Sequence, residues 1–236
     1  MLRTFSVFFR LLWATPFYGS KILRAAYAGR EEDPLYDEVP RIWCNLLLEA
    51  SNTPVTVEGA EQFADPGPWI VTSNHVSAYD ILALATAIPV RYRFIGKKEL
   101  NRVPVFGKAW RAAGHVSIDR SNRRKAIEGM NEAGQRIRDE GSAVVIFPEG
   151  TRARTPELRP FKKGAFVLSA RQRIPLVPTV VYNTRDIIQG GKIQPRPIHV
   201  RFGDPINPGD DAPEVLMEKT RERILAMLDD PPPLAS

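Results

Sequence analysis

Two short runs constrain this chain more than any other feature. Ser142 to Phe147 and Pro175 to Tyr182 are almost wholly apolar and rich in valine and isoleucine. A strand with one wet face alternates apolar and polar residues, whereas an unbroken apolar run of this length reads as a strand covered on both faces. Such strands need helices above and below them. The rest of the chain supplies the pattern. Pro54–Gly59, Pro68–Ser73, Arg91–Ile95, Val116–Ile118 and Ile198–Phe202 read as further strands. Asp80–Ile88, Pro104–Ala113, Ser121–Glu140 and Pro213–Leu228 read as helices. In the third of these, Ile127, Met130, Gly134 and Ile137 mark one face, with Ser121 as cap and Gly141 as stop. Strands alternating with helices predict an α/β fold, a mixed and largely parallel sheet flanked by helices.

Residues 1–27 carry Arg3, Arg10, Lys21 and Arg24 and no acid, interleaved with aromatic and aliphatic residues. No stretch reaches the apolar length of a membrane-spanning helix. The pattern is instead that of an amphipathic segment, two short helices broken near Pro16–Gly19, lying in a bilayer interface with basic heads on lipid phosphates. A secretory leader fits less well, because Arg10 interrupts the apolar stretch and no small-x-small cleavage site follows. An ordinary pair of core helices is the other alternative. Gly29–Pro40 is acidic and Pro-containing and reads as a linker, followed by a helix over Arg41–Ser51. The expected organisation is therefore a helical membrane-association segment with linker over 1–52, an α/β domain over 53–228 and a disordered, Pro-rich tail over 229–236.

The net charge of +6 favours anionic partners: nucleic acid, anionic lipid or a phosphorylated substrate. No nucleic-acid motif is present, and the basic residues concentrate beside aromatics in the N-terminal segment. The single cysteine, Cys44, allows no intrachain disulfide and no cysteine zinc site, and its apolar surroundings suit a small buried hydrophobe. His75, His115 and His199 are well separated, which does not by itself decide the matter, but nothing in the sequence supports a metal site, and no metal or resident cofactor is expected.

Chemistry is concentrated at Asn74-His75-Val76-Ser77-Ala78-Tyr79-Asp80. An imidazole whose tautomer is fixed by a carboxylate can serve as a general base near neutral pH. Along one helix, five residues rotate by about 140° net, so His75 and Asp80 can meet only if the chain turns between them. A strand ending at Ser73 and a helix beginning near Ser77 would provide that turn. The same residues also fit a capping box, with Ser77 as cap and Asp80 in the first helical turn. Both readings can hold together. Asn74 would brace the turn through its amide.

A second motif, Phe147-Pro148-Glu149-Gly150-Thr151-Arg152, follows the buried strand at once, where an open α/β sheet places its binding crevice. Gly150 permits close backbone approach, Thr151 offers a hydroxyl and Arg152 a planar fork for phosphate. Asn-His-x-Ser-x-x-Asp followed by Phe-Pro-Glu-Gly-Thr-Arg resembles the signatures of the lysophosphatidic acid acyltransferases, within the glycerophospholipid acyltransferases. Gly114–Arg120 and Ile174–Pro178 resemble two further blocks, and Lys97–Leu100 and Phe161–Gly164 are smaller matches. Together they span roughly Thr53 to Asn183. Ser117 and Ala153 depart from residues common in the family at their positions.

The resemblance implies acyl transfer from a thioester, acyl-CoA or acyl carrier protein, to the sn-2 hydroxyl of lysophosphatidic acid, giving phosphatidic acid. It implies His75 as base and Asp80 as its orienting carboxylate. Lys97, Arg120 and Arg152 are implied as phosphate ligands, with Glu149, Gly150 and Thr151 shaping the same pocket. No Gly-x-Ser-x-Gly elbow occurs, consistent with direct attack on the thioester. Lys97 and Lys98 facing lipid, and Arg120 pairing with Asp119 or Glu99, are the competing placements. His115 and His199 are read as structural, and Pro178 as shaping the pocket edge. A related acyltransferase with another acceptor, or an inactive membrane-binding protein, remains the alternative. Because the thioester donors are cytosolic, a monotopic enzyme on the cytoplasmic face of the inner membrane is expected.

Overall fold

The computed structural model describes residues 2–30, 33–65, 67–119, 123–155 and 157–233. In chain order the elements are α1 (Leu2–Tyr27), α2 (Leu35–Ser51), β1 (Val55–Glu58), β2 (Trp69–Ser73), α3 (Tyr79–Ala87) and β3 (Tyr92–Lys97). These are followed by α4 (Phe106–Ala112), β4 (Val116–Ile118), α5 (Arg123–Glu140), β5 (Ala143–Ile146), α6 (Gly164–Gln172) and β6 (Leu176–Tyr182). The chain ends with a two-strand hairpin, β7 (Ile188–Gln189) and β8 (Lys192–Ile193), then β9 (Ile198–Phe202) and α7 (Pro213–Asp229).

Seven strands form one sheet in the order β1-β9-β6-β2-β5-β3-β4. Every pair is parallel except β6 with β9, so the sheet is mixed and largely parallel, as its apolar strands require. β2 lies at the centre, with Val71 registered against Val145 on one side and Val177 on the other. Those three valines face a cluster with Leu47 and Leu48 of α2 and Leu84 of α3. Their neighbours Ile70, Val144 and Leu176 face the opposite way, onto Ile137, Leu168 and Leu216 of α5, α6 and α7. Period-2 alternation thus splits one apolar strand between two cores, which is why β5 and β6 carry almost no polar residue. A third cluster joins Ile22 of α1, Val39 of α2 and Ala109 of α4.

Several boundaries differ from the sequence reading. α1 runs unbroken through Pro16. A proline inside a helix forfeits one hydrogen bond and costs about 3 kcal/mol. Packing overrides this here: Trp43 Nε1 donates to Thr15 Oγ1 at 3.1 Å, and Gly19 lies against Val105 where a Cβ would come within 2.6 Å of Cγ1. Gly19 is a contact point for α4 and breaks nothing. α2 likewise begins at Leu35 and includes Pro40, because Asp33 accepts the Leu35 N–H at 3.0 Å and so starts the helix early. β3 runs on through Gly96 and Lys97, beyond the Ile95 at which the sequence reading ended that strand. Ile127 is exposed and not part of the buried face of α5. Pro178 sits inside buried β6, opposite Thr72, and not at a pocket edge. α6 and the β7–β8 hairpin were not foreseen. Ser121 and residues 234–236 lie outside the described residues.

Gly59 begins the connection from β1 at φ +77°, and a Cβ there would lie 2.1 Å from the Phe202 carbonyl oxygen of β9. Gly59→Ala should therefore destabilise the fold by about 2–3 kcal/mol. Urea unfolding measures this; an unmoved midpoint would show that β1 and β9 do not approach so closely.

Candidate active site

His75 and Asp80 meet because β2 stops at Ser73 and α3 starts at Tyr79. The turn between them is built by side chains. Asn74 extends β2 as a surrogate backbone group: its Nδ2 donates to Val181 O at 3.1 Å and its Oδ1 accepts from Val181 N at 2.9 Å. It is the brace its position suggested. Asp80 then closes the turn from the far side. Its Oδ2 accepts from the Val76 N–H at 2.7 Å, the Ser77 N–H at 2.8 Å and His75 Nδ1 at 2.8 Å. Its Oδ1 accepts from the Thr184 hydroxyl. Asp80 is fully buried, and these four donors supply the hydrogen bonds that water would otherwise make to it.

The capping box and the dyad are thus one structure. The reach of Asp80 back to the Ser77 N–H is the carboxylate half of the box. The other half is modified, since Ser77 Oγ accepts from Tyr79 N–H at 3.3 Å. A carboxylate only accepts, so Nδ1 of His75 carries the proton and Nε2 keeps its lone pair. The His75 side chain is 13% exposed. One face of the ring stacks on Phe147, with centroids 4.0 Å apart and planes 17° apart.

Phe147 opens the turn after β5, and this turn also holds the His75 backbone. Glu149 Oε1 accepts the His75 N–H at 2.7 Å, and Oε2 accepts the Arg159 N–H at 3.0 Å. The His75 carbonyl accepts from Ala153 N–H at 2.7 Å, a backbone bond that does not depend on the side chain at 153. Glu149 is almost completely buried, and burial raises its carboxyl above the ordinary range against the pull of those two N–H bonds. Gly150 turns the chain at φ +75°, its N–H donating to Phe147 O at 3.0 Å.

His75, Lys97, Gly150, Thr151 and Arg152 all line one cavity of about 580 Å³. They sit at or beyond the carboxyl ends of β2, β3 and β5, where an open sheet presents its crevice. The remaining walls are apolar: Val7, Leu11 and Ile22 of α1, Trp43 and Leu47 of α2, Trp110 of α4, and Ile188 and Ile193 of the hairpin. Lys97, Thr151 and Arg152 are exposed. Glu149 shapes this site from behind, both its oxygens being used by backbone. Arg120 lies outside the described residues, and Lys98 pairs with Asp119 at 2.6 Å.

The other histidines are structural. His115 Nδ1 accepts from the Phe94 N–H at 3.1 Å, and burial, aided by the Arg93 guanidinium, pushes its pKa down to about 3, so it is neutral. His199 bridges Thr56 and Glu58 across the β9–β1 edge. Cys44 is buried, and burial pushes its thiol up to about 12. Among the described residues no group of three or more His, Cys, Asp or Glu is arranged to hold a metal ion. Thr184 is the residue that sequence reasoning missed. It follows β6, 104 positions from its partner Asp80, and no local pattern marks it.

The acyltransferase family model matches residues 54–182, more than half of the chain, including His75, Asp80 and the turn after β5. The chain belongs to the acyltransferase family. Among similar curated proteins, the 1-acyl-sn-glycerol-3-phosphate acyltransferase of Cocos nucifera is 35% identical over 186 residues, 78% of this chain and 59% of that protein. The enzyme of the same name from Saccharomyces cerevisiae is 40% identical over 136 residues, 57% of this chain and 45% of that one. The human alpha enzyme is 38% identical over 132 residues, 56% and 47% respectively. The chain thus spans about three fifths or less of the length of these relatives. The crystal structure of the 1-acyl-sn-glycerophosphate acyltransferase of Thermotoga maritima superposes with a TM-score of 0.82, covering 97% of this chain and 94% of that one at 23% identity. The acyltransferase fold therefore extends over α1 and α2 as well as the sheet.

In Glu149→Gln, one amide NH₂ must face a backbone N–H that now meets an oxygen. One buried donor is left unsatisfied, which should cost about 1–3 kcal/mol. Urea unfolding would register the loss; wild-type stability would mean the two-sided brace is not formed.

Proposed function

We propose that this acyltransferase moves a fatty acyl group from acyl-CoA or acyl carrier protein to the sn-2 hydroxyl of lysophosphatidic acid, producing phosphatidic acid. The observation that carries the proposal is the His75–Asp80 pair facing an apolar cavity whose polar rim bears Lys97 and Arg152. The names of the related proteins support the same acceptor.

The chemistry follows from the tautomer. Nε2 of His75 takes the proton of the acceptor hydroxyl as its oxygen attacks the thioester carbonyl. The imidazolium that forms is stabilised by Asp80, whose charge is already desolvated and oriented. The new C–O bond forms, the C–S bond breaks, and the departing thiolate receives the proton from His75. A thiolate leaves readily, so no acyl-enzyme is needed. Lys97 and Arg152, with Arg120, would hold the acceptor phosphate; Thr151 and Gly150 border that position. The apolar walls would take the acyl chain. Positioning of both substrates supplies the larger part of the rate enhancement.

The substrates are amphiphiles, and α1 suits delivery from a bilayer. Leu2, Phe5, Phe8, Phe9, Leu12 and Phe17 are exposed on it, while Ala14, Gly19, Ile22 and Ala25 face the protein. Among the described residues no helix is long and apolar enough to cross a membrane. α1 would lie in the interface, on the cytoplasmic face where thioester donors are found.

Purified protein given an acyl thioester and a panel of lysophospholipid, glycerol 3-phosphate and neutral acceptors should acylate lysophosphatidic acid preferentially, followed by product mass. His75→Ala should lower transfer by about 10²–10⁴-fold while the variant remains folded by circular dichroism, with some loss of urea stability because Asp80 loses one donor. Full activity in that variant would remove His75 as the base; preference for another acceptor would replace the substrate and keep the reaction. Replacing Phe8, Phe9 and Phe17 together by serine should weaken cosedimentation with anionic phospholipid vesicles several-fold while leaving the fold intact. Undiminished vesicle binding would argue that α1 is not the anchor.

A further inference from the structure

Two lysine pairs divide their charges alike. In Lys97-Lys98 the second ammonium is neutralised by Asp119 at 2.6 Å. In Lys162-Lys163 the second is neutralised by Glu214, also at 2.6 Å. Among the described residues no carboxylate forms an ion pair with the first member of either pair. Lys97 lines the cavity. Lys162 is not itself a lining residue but rests against Gly150, which is.

Gly150 lines the cavity and turns the chain at φ +75°. A Cβ built on it would lie 2.7 Å from Lys162 Cε, 2.9 Å from Cδ and 2.9 Å from Nζ. The end of the lysine therefore occupies the space that a side chain at 150 would fill. The root of the same residue is pinned as well, since the Lys162 N–H donates to the Pro148 carbonyl at 2.8 Å. The side chain is exposed, yet anchored at its backbone and packed at its tip against the turn that carries Thr151 and Arg152. A lysine that serves only as a solvated surface charge has no need of a notch. An ammonium whose stem is already ordered loses less rotamer entropy on capturing an anion.

We propose that Lys162 is a further ligand for a substrate phosphate, acting beside Arg152. The inference rests on the acyl-transfer reading and deepens it. Arg152 offers a planar fork and Lys162 a point charge, so the turn after β5 would present two complementary cations to one anion. A phosphate could enter this position from two sources, the phosphomonoester of the acceptor or the phosphates of coenzyme A.

Lys162→Met keeps the stem and removes the charge, and Lys162→Arg restores the charge. Both would be compared with wild type on lysophosphatidic acid, using acyl-CoA and, separately, an acyl N-acetylcysteamine thioester, which has no phosphate. Lys162→Met should raise KM for the phosphate-bearing substrate by about tenfold or more, with kcat little changed and most of the loss recovered in Lys162→Arg. A rise in acceptor KM with both donors assigns the acceptor phosphate; a loss confined to acyl-CoA assigns the donor. Calorimetric binding of glycerol 3-phosphate and of coenzyme A reads the same charge without turnover and should weaken about tenfold for one of them. Unchanged KM values and unchanged binding of both in Lys162→Met would overturn the proposal. Absence of transfer by the wild type, with phosphate binding still lost in Lys162→Met, would instead overturn the acyltransferase reading and leave the anion site standing.

Discussion

The buried carboxylate of Asp80 is the interaction on which the site depends. Four donors converge on it from three different places: two backbone N–H groups of its own turn, the ring of His75, and the hydroxyl of Thr184 just after the neighbouring strand β6. Each donor would be costly to leave unpaired, and the charge would be costlier still without them. The result is a turn with one stable geometry. That geometry aims an imidazole with its proton on the inner nitrogen and its lone pair outward, the form a general base requires.

Glu149 provides a second buried carboxylate with a different task. Asp80 holds the ring of His75, while Glu149 holds its backbone N–H and links it to Arg159. The turn after β2 and the turn after β5 are adjacent because β2 and β5 pair in parallel register. Their joint bracing keeps His75 and the turn that carries Thr151 and Arg152 at a fixed separation. Preorganisation of this kind matters most where charge develops during reaction, because no group then has to reorganise.

The N-terminal helix enters this arrangement twice. Its inner face joins α2 and α4 in a core of their own and supplies part of the cavity wall. Its outer face carries exposed aromatic residues. Thr4 also accepts the Ile193 N–H at 3.0 Å, so the β7–β8 hairpin is tied to the same helix. Segments remote in sequence thereby close one apolar chamber.

Much was legible without coordinates, and the reason is locality. Strands β5 and β6 are readable because an apolar run covered on both faces leaves no polar alternation to hide it. The dyad is readable because His75 and Asp80 lie within one turn; Asn74 does brace that turn, but its partner is the backbone of Val181, 107 positions away on β6, and not the local turn backbone. Proline misled twice, at Pro16 and Pro40, since local propensity expects a break and tertiary packing offset its cost. What the chain alone determined was the layered α/β class and the chemical identity of the pair. What only the tertiary structure decided was which distant groups complete them: Thr184 on Asp80, Glu149 behind His75, and the end of Lys162 in the space left by Gly150. Those contacts span 104, 74 and 12 positions; the first two are set by how the strands order themselves in the sheet and the third by how the connection from β5 to α6 folds back on itself, none of which local periodicity encodes.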